Sequence, residues 1–286
     1  MRVLVFSDIH ANKYALNAIL KSEKFDEAVF LGDIVDYGSA PAETIDGVKE
    51  TAKYIVSGNH DYAAAFNKDC LCSQENHELS VYTRENITMK NIERKDIEFL
   101  KSLPTSLEVE LDGTRFHLVH GAPADSLYGY LYPWKISNEL LREPMSFSQE
   151  PGNYLVGHTH YQFLVNYGGN LIVNPGSSGQ PRDGNPKPAY AVFDTRTNTF
   201  ELKRFDYDKS PLKADLKGMV IMVFGIGSLG VFTASIAANL VEMNVAAKIG
   251  ERRIRMKDHI IVCNYDEGFS EIVGELNESG QSNNFL

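Results

Sequence analysis

The chain has 286 residues and a net charge of -10, with 43% apolar and 23% charged residues, so it is globular and long enough for one large domain with an appendage, or two domains. That acidity excludes a general nucleic-acid binder and predicts no stable nucleic-acid partner, yet it leaves room for a phosphate substrate where bound cations reverse the local field. The three cysteines, Cys70, Cys72 and Cys263, are too few and too oddly spaced for a disulfide framework and fit a reducing compartment.

Arg2–Phe6 is a continuous β-rich apolar run, the pattern of a central strand rather than of a secretory leader. It ends in Ser7-Asp8-Ile9-His10, and Ala11–Lys21 then has helical spacing at Ala15, Leu16, Ile19 and Leu20. Asp8 and His10 therefore fall at the C-terminal end of a strand before a helix, where open α/β sheets bind ligands. Ala28–Leu31 predicts a second strand running into Gly32-Asp33-Ile34-Val35-Asp36, and Glu43–Lys53 a helix. Tyr54–Ser57 predicts a third strand running into Gly58-Asn59-His60-Asp61. Cys70-x-Cys72 has the spacing of a thiolate pair, but no second cysteine pair completes a tetrahedral site.

Ser73–Leu103 is polar with helical periodicity and predicts one or two covering helices. Ser106–Leu111 and Arg115–Val119 flank Asp112-Gly113 as a hairpin, whose second strand ends in His120-Gly121. The aromatic run Leu127–Trp134 is a loop that either walls a pocket or packs. Tyr154-Leu155-Val156 leads into Gly157-His158-Thr159-His160, and residues two apart on an extended chain point the same way, so both imidazoles can face one cluster. Phe163–Tyr167 with Leu171–Val173, and Tyr190–Asp194 with Thr199–Phe205, are further strand pairs with alternating polarity. Strand-helix alternation giving way to hairpins predicts two sheets packed together with helices outside. Asp, Asn and Gly are ordinary turn formers, but turns need no histidine, and five of the eight histidines sit at these strand ends.

The collected segments read D-x-H (Asp8, His10), G-D-x-x-D (Asp33, Asp36), G-N-H-D (Gly58–Asp61), H-G (His120) and G-H-x-H (His158, His160). Carboxylate, imidazole and one amide, with no thiolate, suit Mn first, or Fe, Zn, Ni or Co. The donors outnumber the needs of one ion and point to two divalent ions about 3.5–4 Å apart, an arrangement suited to displacement at phosphorus. This ordered set resembles the calcineurin-like metallophosphoesterase superfamily from Met1 to about Tyr207. The resemblance implies a four-layer αββα sandwich of two mixed sheets flanked by helices, with a dinuclear site at the strand ends. It implies Asp8, His10 and His160 as ligands of one ion and Asn59, His120 and His158 as ligands of the other. Asp33 would bridge the two, as would a hydroxide, the nucleophile. His60 is implied to stand by the leaving group without binding metal, oriented by Asp36, with Asp61 behind the ligands.

Family members that dephosphorylate phosphoproteins carry Arg directly after the second Asp of the G-D block; here that residue is Tyr37. The blocks Asp8–Asn12 and Asn174–Arg182 resemble instead the small prokaryotic phosphodiesterase branch, whose members act on model diesters, cyclic nucleotides and dinucleoside polyphosphates. Asn12 and Arg182 are candidate substrate contacts. The expected function is metal-dependent hydrolysis of small phosphate esters, diesters or nucleotide-type substrates in particular. The alternative is a membrane-linked, non-catalytic sensor or binding module built on the same fold.

The last part of the chain reads differently. Gly218–Val241 is an uncharged run that as a helix would span about 36 Å, enough for a bilayer core. The same letters contain Gly225-x-Gly-x-x-Gly230, a possible dinucleotide turn, with Glu251 near the expected acidic position. Gly218 to Leu276 resembles the inner helix of prokaryotic potassium channels and, over 258–276, the start of their regulatory domain, without a selectivity filter and with Asn264-Tyr265-Asp266 in place of a Gly-rich turn. The expected organisation is thus a phosphoesterase domain over 1–210 and a tail over 211–286, with a membrane or oligomer contact through 218–241. The basic run Lys248–Lys257 favours a cytoplasmic tail and the catalytic domain is expected to be cytoplasmic too, which one span cannot satisfy unless it is re-entrant, surface-packed or a fusion remnant.

Overall fold

The computed structural model describes residues 1–137, 139–141 and 152–224. The chain divides into two compact units, Met1–Val220 and Ile221–Leu286. The strands of the first unit are β1 (Arg2–Phe6), β2 (Glu27–Phe30), β3 (Tyr54–Ile55), β4 (Ser106–Leu111), β5 (Thr114–Val119), β6 (Asn153–Leu155), β7 (Gln162–Tyr167), β8 (Asn170–Pro175), β9 (Ala189–Asp194) and β10 (Thr199–Arg204). The helices are α1 (Lys13–Ser22), α2 (Pro41–Thr51), α3 (Asn59–Phe66), α4 (Gln74–Thr83), α5 (Met89–Asn91), α6 (Arg94–Ser102) and α7 (Ser210–Phe224), with a π-helical turn at Arg84–Thr88 joining α4 to α5.

Two mixed five-stranded sheets, ordered β10-β9-β1-β2-β3 and β4-β5-β6-β8-β7, are flanked by helices. In the first, β1, β2 and β3 run parallel, and β9 and β10 extend the sheet through antiparallel pairings. In the second, β5, β6 and β8 run parallel, with antiparallel strands at both edges. Parallel strands end at one edge, so the loops after β1, β2 and β3 open together, as do those after β5 and β6.

The period of two along each strand sorts the core. Val3, Val5, Val29 and Leu31 meet Phe116, Leu118, Leu155 and Val173 between the sheets. Leu4, Phe6, Ala28 and Phe30 face the other way, onto Leu16, Ile19, Ile45, Val48 and Leu100 of the helices. Both faces of β1 and β2 are therefore buried, which is why their sequences are unbroken apolar runs rather than alternating ones. The outer face of the second sheet is covered by Ala122, Leu131 and Leu141 packing on Val119, Tyr154, Phe163 and Ile172. No described helix contributes to that cluster, so there the helical fourth layer of the expected αββα sandwich is, among the described residues, an irregular segment.

Element limits differ from the sequence reading by a residue or two at most ends. Tyr54–Ser57 contributes only Tyr54 and Ile55 to the sheet: Val56 N still donates to Phe30 O, but Ser57 N turns to Pro104 O. The covering segment 73–103 forms two helical runs, 74–91, continuous through the π-helical turn, and α6. Among the described residues no helix is long and apolar enough to cross a membrane. Of the expected span 218–241, the first residues continue α7, and 225–241 lies outside the described residues, as do the Gly-rich turn, the basic run and the channel-like segment.

Glu23, which caps the end of α1, fastens the first sheet to its helical layer. It is buried and accepts from Arg2 Nη2 (2.8 Å), Tyr190 Oη (2.9 Å) and Lys203 Nζ (2.6 Å). Burial alone would raise its pKa, but Lys203, Arg2 and Tyr190 outweigh that and hold it at about 2. A carboxylate held below its ordinary value contributes stability that is present above that value and is lost as pH falls toward the folded one. Glu23→Gln is therefore expected to cost about 1–3 kcal/mol at neutral pH. The gap to wild type should close as pH is lowered from about 5 toward 2, read as urea midpoints across that range; a gap independent of pH would overturn the assignment.

Candidate metal centre

The loops after β2 and β3 are tied together before any metal chemistry begins. Asp61, in the first turn of α3, accepts backbone N–H groups from Asp33 (2.8 Å), Ile34 (2.8 Å), Val35 (3.2 Å) and Gly58 (3.1 Å). Burial and the adjacent Asp33 carboxylate push its pKa up, while the Gly58 and Ile34 N–H groups pull it down. Gly58 permits the approach: a Cβ there would stand 2.1 Å from Asp33 Oδ1 and 2.2 Å from Asp33 N. Asp8, His10, Asp33, Asp36, His158 and His160 all have φ between 48° and 66°. Non-glycine residues rarely adopt that left-handed region, and they persist there when surrounding contacts over-determine the backbone. Such contacts are present: Asp8 N and His10 N donate to Gly32 O and Asp33 O, and Asp8 Oδ2 accepts from His158 N at 3.2 Å.

Two groups of side chains converge and share Asp33. One is Asp8, His10, Asp33 and His160; the other is Asp33, His120 and His158. All are buried. Asn59 joins the second group, with Oδ1 3.1 Å from His120 Nε2. Its amide is oriented from behind, where Nδ2 donates to Cys70 O at 2.6 Å. His158 Nδ1 lies 3.2 Å from the same His120 Nε2.

The tautomers follow from the second ring nitrogens. His10 Nδ1 donates to Val35 O (3.1 Å), His120 Nδ1 to Leu31 O (2.7 Å) and His160 Nδ1 to Gln180 O. A carbonyl only accepts, so each Nδ1 carries a proton and each ring turns its Nε2 inward. His10 Nε2 and His160 Nε2 are 3.2 Å apart. Two facing lone pairs repel unless a cation lies against both. Asp8 Oδ1 and His158 Nε2 are buried without a hydrogen-bond partner, although Asp8 Oδ1 is 3.3 Å from His160 Nε2. These residues fit divalent cations, one of which would supply the partner that Asp8 Oδ1 lacks.

The electrostatics agree for three of the four imidazoles. Burial pushes His10, His158 and His160 below the ordinary imidazole value, His158 to about 3, so they are neutral donors at pH 7. His120 is the exception: burial opposes its cation, but Asp33 outweighs that and raises it to about 9. A metal ion on its Nε2 would displace that proton.

His60 stands apart from both groups. Its Nδ1 is 3.0 Å from Asp36 Oδ2 and 3.2 Å from Ser80 Oγ. Asp36 also accepts from Arg84 Nε (3.0 Å) and Thr88 Oγ1 (2.9 Å), and Arg84 Nη2 donates to Ser80 Oγ (2.9 Å). Burial works against a charged His60, yet Asp33 and Asp36 together raise its pKa. Arg84, Thr88 and Ser80 were not anticipated from the sequence. The available signal was the polar stripe Ser80, Thr83, Arg84, Thr88, whose spacing puts it on one face of the covering helices, here the buried face.

At the rim, Tyr37 packs edge-on to His10 (4.9 Å) and against His60 (4.9 Å). The Arg182 guanidinium lies 5.7 Å from the Tyr37 ring, and its Nη2 donates to Gln180 Oε1 at 2.7 Å. Asn12 is a structural residue in this arrangement: Oδ1 caps α1 through Ala15 N, and Nδ2 donates to Tyr207 Oη (2.9 Å) and Gly179 O (3.3 Å). The aromatic loop leads outward from the centre. Tyr130 contacts His158 at 4.2 Å, Tyr132 stacks on Tyr130 and Trp134, and Tyr161 meets both Tyr132 and Trp134 edge-on. Trp134 is 62% exposed and is the one tryptophan of the chain.

Comparison with known proteins gives the chain a family. A protein from Methanocaldococcus jannaschii, itself uncharacterized, is 31% identical over 225 residues, covering 72% of this chain and 88% of the relative. A solved metallophosphoesterase from Sphaerobacter thermophilus superposes with a TM-score of 0.62 at 27% identity, covering 82% of this chain and 98% of that one. A hypothetical protein from Pyrococcus horikoshii shares the fold with a TM-score of 0.59 at 18% identity, covering 82% and 97%. The profile of the calcineurin-like phosphoesterase superfamily domain matches residues 1–198, a stretch that contains every side chain of the two converging groups, and the chain belongs to that superfamily.

Proposed function

We propose that the chain is a hydrolase of small phosphate esters that works with two divalent ions, and that diesters with a nucleotide-like part are its preferred class. The observation that carries the reading is Asp33 standing in both ligand groups, as a carboxylate shared by two adjacent ions would. Two ions bound there would neutralise phosphoryl oxygens and supply an activated water. The donors contain no thiolate, and Mn is the assay metal of choice, ahead of Fe, Zn, Ni or Co. The completeness of the ligand set counts against a non-catalytic sensor.

The chain's own residues divide the rest of the work. Asp8, His10 and His160 hold one ion; Asn59, His120 and His158 hold the other. The carbonyls of Val35, Leu31 and Gln180 keep the imidazoles facing inward. His60, oriented by Asp36 and raised in pKa, keeps a proton to hand to the departing oxygen. Arg182, braced by Tyr37 and Gln180, is the cation available for a phosphate oxygen, in place of the arginine missing after Asp36. The ladder from Tyr130 to Trp134 begins against the ligand His158, so a base attached to a phosphate at the centre has an aromatic face to stack on. Such stacking contributes about 1–3 kcal/mol per base.

The full chain should hydrolyse a chromogenic phosphodiester with added Mn, and should lose nearly all turnover in Asp33→Asn or with chelator. Full activity after metal is stripped would overturn the reading.

His60→Ala should keep its metal content while losing about 10²–10⁴-fold in turnover of esters with poor leaving groups such as nucleosides. Nitrophenolate departs without protonation, so its esters should lose little, and Asp36→Asn should act in the same direction more mildly. Equal losses for both leaving groups, or a lost metal equivalent, would sink the proton-donor role.

Nucleotides added to the protein should quench the fluorescence of Trp134, and ribose phosphate should not. Trp134→Ala should raise KM for nucleotide diesters by about 5–100-fold, the equivalent of one stacked base, and leave alkyl diesters unchanged. A uniform change across both substrates would mean that the ladder only packs.

A further inference from the structure

The link between α3 and α4 contains a strained segment that the reaction does not use. Leu71, between Cys70 and Cys72, has φ 49°, and its side chain is 60% exposed. A leucine in the left-handed region costs about 1–2 kcal/mol, and nothing about an exposed leucine repays that. The bend brings the two flanking side chains together: Cys70 Sγ and Cys72 Sγ are 2.9 Å apart, within about 1 Å of a disulfide bond length of roughly 2.05 Å. Both cysteines are reduced; Cys70 is buried and Cys72 half-buried.

The pair touches the metal centre on two sides. Cys70 O holds the amide of Asn59 at 2.6 Å, which aims Asn59 Oδ1 at His120. Cys70 Sγ lies 3.2 Å from Ser80 Oγ, and that hydroxyl is 3.2 Å from His60 Nδ1 and 2.9 Å from Arg84 Nη2. A rival occupant is a soft metal ion on His60, Cys70 and Cys72, which lie close enough together. Two thiolates on one tetrahedral zinc, each at about 2.3 Å, would stand about 3.8 Å apart, wider than the gap here.

We propose that Cys70 and Cys72 form a reversible oxidation site, in which peroxide closes an intramolecular disulfide that shifts Asn59 and Ser80 and so lowers turnover. One of the two sulfurs attacks one peroxide oxygen, the O–O bond breaks, and the other oxygen leaves as water with the thiol proton. That cysteine is then a sulfenic acid. The second Sγ attacks it, the S–O bond breaks as the S–S bond forms, and the hydroxyl leaves with the second thiol's proton as a second water. Two thiols are oxidised and one peroxide is reduced to two waters. A small thiol reductant reverses the bond by exchange. The coupling to turnover rests on the phosphoesterase reading above; closure of the bond does not.

The test uses the full chain carrying Cys263→Ser, loaded with zinc so that the metal itself is not oxidised. After peroxide and alkylation, the peptide holding Cys70 and Cys72 should be lighter by two hydrogens and refuse alkylation, and thiol treatment should restore both. Diester turnover should fall about 10–100-fold, the usual effect of disturbing groups that orient metal ligands, together with loss of zinc on dialysis, and it should recover on reduction. Cys72→Ser and Cys72→Ala should fold, turn over as the reduced protein does, and resist peroxide. Thiols that still alkylate after saturating peroxide, or that are blocked by zinc with no loss of hydrogens, would overturn the disulfide. An oxidised protein that keeps its zinc and full turnover would overturn the coupling. If no ester is turned over in any state, the phosphoesterase reading fails, while peptide mass and zinc retention still decide this one.

Discussion

The centre depends on one carboxylate that stands outside both ligand groups. Asp61 collects backbone N–H groups from both the β2 loop and the β3 loop, and without it Asp33 and Gly58 would have no reason to meet. Four donors converging on one buried carboxylate form a rigid junction, since leaving any of them unpaired would cost about 1–3 kcal/mol. That rigidity is what lets Asp33 and Asp36 remain left-handed. Their carboxylates then leave the loop in different directions, Asp33 toward the shared ligand position and Asp36 toward His60.

The same logic runs outward in shells. Backbone carbonyls fix three imidazoles, so their Nε2 atoms face inward before any ion arrives. The energy of folding holds like groups against one another, and cations relieve that repulsion. Metal binding would therefore be coupled to folding. Asp36 does for His60 what the carbonyls do for the ligands, and because Arg84 and Thr88 fix Asp36 in turn, the imidazole has one orientation open to it.

Most of this was legible in the sequence, for a physical reason. Ligands must sit where strands end, and strand ends are marked by apolar runs breaking into Gly, Asp, Asn and His. The two sheets followed from the change of strand-helix alternation into hairpins. What was not legible lies in the covering segment 73–103. A helical stripe such as Ser80, Thr83, Arg84, Thr88 looks like an ordinary solvated face until the tertiary fold shows that it is buried on Asp36. Asn12 illustrates the converse. A polar residue near the ligands reads as a substrate contact, but its position just before α1 makes it a cap, and capping occupies its acceptor. The irregular cover on the second sheet was invisible for a third reason, because Leu131 and Leu141 pack without any period that a sequence could display.

The division of labour in the chain explains where specificity must come from. On the proposed function, the carboxylates, imidazoles and one amide at the strand ends would recognise only the phosphoryl group, which every ester shares. Whatever distinguishes one ester from another lies in the loops beyond the ligands. Here those loops contribute Tyr130, Tyr132, Trp134 and Tyr161 on one side and Tyr37 with Arg182 on the other. Aromatic faces tolerate any flat group, whereas a single guanidinium asks only for an anion. On the proposed function such a rim would select for flatness joined to charge and be indifferent to the pattern of hydrogen-bonding groups on the flat part. It would therefore discriminate well between classes of ester and poorly between members of one class.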